Sequence, residues 1–337
     1  MLKNKKVAIS GMTGVSDEVL NNYKVSVEAA VPGSQVDIIS KAILSEDEVI
    51  AKMKGYDILM SGFQTMTDKA YAETDFIAYV ACSIGYDFAN VSLATKHGIV
   101  VCNNPTYCIN EVAEHAVALL LECARGLYKM IPYVKGGSWG FPILVPQNSF
   151  KGSTVGLYGF GNIPRLIAKK LSGFEVKLIS ADPFVKQTDA APYGVTMVSF
   201  DELLEQSDYI CVQAPLLEST RGAFNAAAFS KMKRTAFIIN TARGPLINQD
   251  DLYTALTTGM IKGAALDVLE HEPPLEEDRK IVALPNVVCT GHSGFYSVES
   301  FANQEKLTVD NLVRVLNGQL PNNIVNKEIL DRIDWGK

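Results

Sequence analysis

Short runs of apolar, often β-branched residues alternate with amphipathic stretches along nearly the whole chain. The runs are Val7–Ser10, Val36–Ile39, Ile58–Ser61, Ile77–Ala81 and Ile99–Asn103, then Thr154–Tyr158, Val176–Ser180, Tyr209–Gln213, Ala236–Asn240, Ala264–Val268 and Val287–Thr290. Each has the length of a strand, and most are separated by stretches of helical length and period, so a βαβα order with parallel sheets is expected. Because the runs are apolar at consecutive positions, both faces of each sheet need cover, which places helices on both sides. The fold class that follows is α/β with doubly wound parallel sheets.

The longest helical pattern extends from about Asn110 to Met130, and the segment Gly136-Gly137-Ser138-Trp139-Gly140-Phe141-Pro142 after it is dense in turn formers. A domain boundary is expected near Asn104-Pro105. A second long helix is expected from about Ser297 to Asn317, ended by Gly318 and Pro321. If it crosses back, the first domain is discontinuous, with residues 1–104 and 302–337 forming one domain and 105–301 the other. Length agrees, since 337 residues exceed the ~250–300 at which one hydrophobic core divides.

Composition narrows the class. Hydrophobic residues at 47% and charged residues at 20% exclude a disordered chain. A net charge of -6, with no cluster of Lys and Arg, argues against a nucleic-acid partner. Met1-Leu2-Lys3-Asn4-Lys5-Lys6 runs into an apolar segment ending at Ser10. That segment is too short for a signal-peptide core or a membrane span, so a cytoplasmic location without a membrane partner is expected. The six cysteines, Cys82, Cys102, Cys108, Cys123, Cys211 and Cys289, form no C-x-x-C pair and mostly lie inside apolar runs. They are expected to be free thiols, with neither disulfides nor a metal site.

Candidate chemistry begins at Thr154–Tyr158, which enters Gly159-Phe160-Gly161-Asn162-Ile163-Pro164 and then the helical stretch Arg165–Leu171. This is a dinucleotide-binding turn with one irregularity. Gly159 permits the tight turn, Gly161 lets the backbone approach a pyrophosphate, and the helix N-terminus supplies amides and a favourable dipole. Pro164 stands where a third glycine is usual. Proline is acceptable in a first helical turn, although its ring fills space that glycine leaves for helix-on-strand packing. The next strand ends at Ala181-Asp182-Pro183, about 20 residues on, where a carboxylate accepts hydrogen bonds from the adenosine ribose. Asp182 also repels a 2′-phosphate, and no arginine follows it directly, so NAD is favoured over NADP. The plainer role for Asp182 is to cap a turn before Pro183.

Further along, polar groups stand just past strand ends, where open α/β sheets bind ligands. The segments are Asn240-Thr241-Ala242-Arg243-Gly244, Leu266-Asp267-Val268-Leu269-Glu270-His271-Glu272-Pro273-Pro274 and Thr290-Gly291-His292-Ser293-Gly294-Phe295-Tyr296. Reducing a 2-keto acid needs a hydride donor, a proton donor at the carbonyl oxygen and a cation for the carboxylate. Histidine suits the proton and arginine the carboxylate. A neighbouring carboxylate would orient the imidazole and favour its protonated form. Of the four histidines, His97 reads as a helix C-terminal residue, His115 as a packed or interface residue, and His271 as solvated. His292 alone sits past a strand end between glycines. Spacing leaves both Glu270 and Glu272 open as its partner.

These segments resemble the D-isomer-specific 2-hydroxyacid dehydrogenase family. The likeness runs through Gly159–Asp182, Asn240–Leu246, Gly263–Pro273 and His292–Ser297, and extends to Gln213-Ala214-Pro215-Leu216, Thr220-Arg221-Gly222 and Ser83-Ile84-Gly85-Tyr86-Asp87. It implies a flavodoxin-like substrate domain and a Rossmann NAD-binding domain, with Arg243 orienting the substrate, Glu272 paired with the histidine, and His292 as proton donor in reduction. It further implies that Ile84 and Gly85 offer amides to the substrate carboxylate, and that Asp267 and Thr241, Ala242 and Arg243 border the nicotinamide. The candidate cofactor contacts are completed by Gly159, Phe160, Gly161, Asn162, Ile163, Asp182, Gln213, Ala214, Pro215, Thr220, His292 and Gly294. Two departures from the family pattern, Pro164 and a glutamine at Gln213 where many relatives carry histidine, put cofactor affinity in doubt. Formate dehydrogenases of the family pair their histidine with glutamine, so Glu272 argues against formate.

The segment Ser61-Gly62-Phe63-Gln64-Thr65-Met66 follows a first-domain strand and carries no Lys or Arg for a phosphorylated acid. An unphosphorylated substrate is expected, with an apolar side chain contacting Phe63, Met66, Phe295 or Tyr296 unless these are simply core. The resemblance also implies a homodimer through the helix Asn110–Met130. Two other readings stand beside an enzyme: an NADH-responsive protein-binding module like the C-terminal-binding corepressors, and a catalytically idle nucleotide-binding scaffold.

Overall fold

The computed structural model describes residues 5–143 and 148–332; the first residues of the N-terminal segment, 1–4, lie outside them. The chain forms two compact units, Met1–Cys108 with Ser297–Lys337, and Ile109–Tyr296. The second crossing is set by a cap. Ser297 accepts the Ser300 N–H at the start of the helix Val298–Leu316, so that helix belongs whole to the first unit rather than dividing near residue 301. The first crossing falls at Cys108, a few residues past Pro105.

The first unit is built on strands β1 (Lys6–Ser10), β2 (Gln35–Ser40), β3 (Ile58–Ser61), β4 (Ala78–Ala81) and β5 (Val100–Cys102). They lie in the order β2-β1-β3-β4-β5 and all pairs are parallel. This is the flavodoxin-like order. Successive residues divide between two cores, as a pleated strand requires. Val7, Ile9, Ile58, Met60 and Val80 face the helices Asp17–Ala30 and Val298–Leu316, while Ala8, Leu59, Tyr79 and Val101 pack on the other side. Burying each such Val, Leu or Ile contributes about 1.5–3 kcal/mol, which makes one register far better than a one-residue slip.

The second unit carries β6 (Thr154–Tyr158), β7 (Lys177–Ala181), β8 (Val195–Met197), β9 (Tyr209–Val212), β10 (Phe237–Asn240), β11 (Gly263–Leu266) and β12 (Val287–Cys289). Their order is β12-β11-β10-β9-β6-β7-β8, again parallel throughout. The order reverses between β6 and β9, which opens a crevice at the carboxyl ends of those strands.

Two elements differ from the sequence expectation. Strand β8, Val195-Thr196-Met197, has too short an apolar run to stand out and pairs only with β7 at the sheet edge. The long helix expected from Asn110 to Met130 is instead two, Ile109–Arg125 and Leu127–Lys135, broken where Gly126 adopts a left-handed conformation with φ 65°. The apolar period continues across the break, so the pattern alone reads as one helix.

Candidate active site

The turn after β6 sits at the switch point. Gly159 has φ 95°, and a Cβ there would lie 3.0 Å from both the N and Cα of Ala214, where the chain leaves β9. Only glycine fits both the angle and the approach. Gly161 caps the helix Asn162–Leu171, and a Cβ built on it meets nothing within 4 Å. The side-chain direction at Gly161, beside the helix N-terminus, is therefore clear. Pro164 is buried in the first turn. Its missing N–H costs no helical hydrogen bond, because the first one runs from Arg165 N–H to Gly161 C=O at 3.2 Å. Arg165 supplies a brace the sequence reading missed: its Nε–H donates to Phe160 C=O at 3.2 Å, with the guanidinium over the Phe160 and Tyr193 rings at 5.7 and 5.8 Å.

Asp182 does the plainer job and also reaches the glycine turn. Its Oδ1 accepts the Phe184 N–H at 2.9 Å, and its Oδ2 accepts the Phe160 N–H at 2.8 Å. The carboxylate thus stands at the end of β7 directly beside the turn. Past β9, Gln213 Nε2 donates to Thr241 Oγ1 at 2.6 Å, joining two of the expected cofactor segments. Thr220 Oγ1 donates to Pro215 C=O at 2.7 Å and accepts the Leu217 N–H at 2.8 Å, closing the loop between them.

Arg243 leaves β10 in extended conformation. Asn240, 1% exposed, holds this loop from both sides, since its Nδ2 donates to Arg243 C=O at 2.9 Å and its Oδ1 accepts the Ala242 N–H at 3.0 Å. The loop then meets the loop that carries Glu272. A Cβ on Gly244 would lie 1.8 Å from Leu269 O, so backbone packs on backbone there. Leu269 N–H donates to Glu272 Oε1 at 3.0 Å, and Glu272 Oε2 lies 2.5 Å from His292 Nδ1. Of the two glutamates that spacing leaves open, the geometry pairs Glu272 with the histidine.

His292 has φ 52°, a left-handed conformation that a non-glycine residue holds only when its surroundings impose it. Here its N–H donates to Asp267 C=O at 2.7 Å. The Asp267 carboxylate, 4% exposed, is the hub of this loop. Oδ1 accepts from Thr290 Oγ1 at 2.6 Å and from Ser293 N–H at 2.9 Å, and Oδ2 accepts from Gly294 N–H at 3.0 Å. His115 Nε2 lies 3.3 Å from Oδ1. Burial pushes this carboxyl's pKa up, but the hydrogen bonds from His115, Thr290, Ser293 and Gly294 outweigh it and leave the group below the ordinary aspartate value. Cys289, just before the loop, is pushed up to about 11 by burial and then by the Asp267 and Glu272 charges, so its thiol stays neutral.

The other histidines are partly as expected. His97 closes the helix Val91–Lys96 and lies 2.7 Å from Asp68 Oδ1. His271 is not merely solvated: its Nδ1 stands 3.3 Å from the buried Asp278. His115 is a packed residue, yet one bonded into the His292 loop, 175 positions away in sequence. No local signal marks that partnership.

Phe63, Ile84 and Gly85 belong to the first unit. There Asn103 Nδ2 donates to Ile84 C=O at 2.6 Å and Ser83 Oγ donates to Gly85 C=O at 2.7 Å. Both carbonyls are pinned past the ends of β4 and β5. Phe63 packs edge-on to Phe88 with centroids 5.3 Å apart. Met66 takes the core alternative: it is 1% exposed and packs in the core on one face of the first sheet. Tyr296, in the second unit, is 71% exposed.

A glycine turn at a parallel-sheet switch point, with a His–Glu pair past β11 and β12 of the same sheet, defines a dinucleotide-binding unit equipped for proton transfer. Residues 117–294 match the family model described as D-isomer specific 2-hydroxyacid dehydrogenase, NAD binding domain. A glyoxylate reductase of Korarchaeum cryptofilum is 33% identical over 294 residues, 85% of this chain and 87% of that protein. A hydroxypyruvate reductase of Thermotoga maritima is 36% identical over 260 residues, 76% of this chain and 84% of that one. The fold matches the D-lactate dehydrogenase of Aquifex aeolicus, whose crystal structure is complexed with NAD and lactic acid. That match has a TM-score of 0.85 at 24% identity and covers 95% of this chain and 98% of that one.

The chain belongs to the D-isomer-specific 2-hydroxyacid dehydrogenase family. It is an NAD-dependent oxidoreductase that interconverts 2-keto and 2-hydroxy acids.

Proposed function

We propose that this dehydrogenase acts on a small unphosphorylated 2-keto acid and its D-(R)-2-hydroxy acid, with His292 as acid/base. The observation that carries the proposal is the 2.5 Å contact between His292 Nδ1 and Glu272 Oε2. A carboxylate there accepts the Nδ1 proton and holds the ring in one orientation, which leaves Nε2 as the nitrogen that exchanges a proton with substrate. When bound, NADH supplies the hydride that adds to C2 of the keto acid. In that direction His292 gives its Nε2 proton to the carbonyl oxygen, and in reverse it removes the proton from the hydroxyl. Arg243 binds the substrate's carboxylate and carbonyl side through its planar fork. Ile84 and Gly85 present amides to the carboxylate, their carbonyls being held by Asn103 and Ser83. Phe63 and Tyr296 border the substrate side chain. The first unit is accordingly the substrate domain.

For the cofactor, Gly159, Phe160, Gly161, Asn162 and Ile163 receive the pyrophosphate, and Asp182 accepts from the ribose while disfavouring a 2′-phosphate. Gln213, Ala214, Pro215 and Thr220 border the nucleotide, and Thr241, Ala242, Asp267 and Gly294 the nicotinamide. Although two relatives are named D-3-phosphoglycerate dehydrogenase, the names glyoxylate reductase and hydroxypyruvate reductase support an unphosphorylated substrate. So does the absence of Lys and Arg from Ser61–Met66. Among the described residues no helix is long and apolar enough to cross a membrane. The six free cysteines fit a reducing, cytoplasmic setting. The exposed apolar face of the helix Leu127–Lys135 supports a homodimer.

The test follows NADH absorbance with pyruvate, hydroxypyruvate, glyoxylate, phenylpyruvate and branched keto acids. Turnover is expected, and His292→Ala should lower kcat by about 10²- to 10⁴-fold while NADH still binds. Intact turnover in that variant would remove His292 from the role. Highest efficiency on 3-phosphohydroxypyruvate would overturn the substrate class, and nucleotide binding without any turnover would favour a binding module.

A further inference from the structure

The His292 loop has an anchor that does not come from the strand ends. Thr290, Ser293 and Gly294 wind the loop around the Asp267 carboxylate, but all three belong to the loop itself. His115 belongs to the helix Ile109–Arg125, which packs on the helix Asn162–Leu171 and on β10 and β11. Its Nε2 lies 2.9 Å from Thr290 Oγ1 and 3.3 Å from Asp267 Oδ1. The proton positions follow from counting. Thr290 has one hydroxyl proton and places it on Asp267 at 2.6 Å, so Oγ1 must accept from His115, and Nε2 carries a proton. The ring is also a packing surface, for a Cβ built on Gly294 would lie 3.3 Å from His115 Cδ2.

We propose that His115 is a positioning residue: it clamps the Thr290–Gly294 loop to a helix outside the strand ends and so fixes where the His292 imidazole meets substrate. The role deepens the dehydrogenase reading above and rests on it. His292 is held left-handed at φ 52°, with its ring directed by a short contact to Glu272, a geometry with little tolerance. A displacement of about 1 Å at such a site costs on the order of 10²-fold in rate. The clamp also joins the two ends of the second unit within that unit. His115 follows the first chain crossing after Cys108, and the loop precedes the second after Tyr296.

The experiment compares the full-length protein with His115→Ala, His115→Gln, Thr290→Val and the double variant His115→Ala/Thr290→Val. Glutamine places an amide donor where Nε2 stood, and valine removes only the hydroxyl. Expected is a loss of about 10- to 100-fold in kcat for His115→Ala and for Thr290→Val, with the Kd for NADH within about twofold of wild type. His115→Gln should recover most of the loss, and the double variant should lose no more than the worse single one. In the nucleotide-free protein, the His292 Cε1–H proton resonance, one of four from histidine, should shift in His115→Ala and return in His115→Gln.

An unchanged kcat in Thr290→Val or His115→Ala would overturn the clamp. So would losses that add in the double variant, or kcat and NADH affinity falling together. If His115→Ala does not fold, Thr290→Val and His115→Gln decide on the same readouts. If the wild-type chain reduces no keto acid, the dehydrogenase reading fails on its own. The His292 resonance then still judges the clamp, since one that stays in place when the link is cut refutes it.

Discussion

At the scale of single residues, the site is governed by what fills the space beside a few backbone atoms. Gly244 is the clearest case, because a Cβ there would strike Leu269 O at 1.8 Å. Gly244→Ala must push the segment that lends its Leu269 N–H to Glu272. We expect a stability loss of about 1–3 kcal/mol or more, seen as a lower thermal midpoint by circular dichroism, together with a lower kcat; a variant of wild-type stability and rate would contradict this. Asp267 makes a pH-dependent contribution. Its folded pKa lies below the ordinary 3.8, so the stability it adds is fully present above the unfolded value and is lost as pH falls through the folded one. In urea titrations between about pH 5 and pH 2 the wild-type midpoint should drop more steeply than that of Asp267→Asn. Parallel curves would show that the carboxylate carries no such linkage.

At the scale of elements, the chemistry lies where strands stop. Two of these strand ends deliver a backbone turn braced by an asparagine side chain: Asn103, past β5, for the Ile84–Gly85 turn after β4, and Asn240, at the end of β10, for its own loop. Asn103→Ala should raise KM for the keto acid about tenfold, the scale of one hydrogen bond to a charged group, and leave NADH affinity unchanged. A loss confined to kcat would place Asn103 elsewhere in the reaction. Strand positions such as Ile58–Ser61 and Thr154–Tyr158 were legible in the chain because continuous apolar runs have one use in a parallel sheet. The break at Gly126 was not legible, since apolar spacing carries through a left-handed residue without a change of period. His115 was not legible as part of the site either, because its partners come from another element far along the chain.

At the scale of the whole molecule, one helix of the second unit packs Tyr128 on the core and leaves an apolar face uncovered among the described residues. Leu127, Ile131 and Val134 lie along one face of the helix Leu127–Lys135 and are all exposed, as are Trp139 at 86% and Phe141 at 80%. Several apolar residues gathered on one helix face and the segment after it fit an interface between two copies. Sedimentation equilibrium at micromolar concentration should give a dimer, and Ile131→Glu should shift it toward monomer; a wild-type monomer would refute the homodimer. By itself the order of residues determined the α/β class, the dinucleotide turn at Gly159–Pro164, and the candidacy of Arg243 and His292 past strand ends. These follow from local period, turn chemistry and spacing, which need no third dimension. Only the tertiary structure brought Glu272, the partner the resemblance implies, to 2.5 Å from His292, put Met66 in the core and bonded His115 to Thr290. Those depend on distances between segments remote in sequence, which are fixed when the sheet and its helices pack.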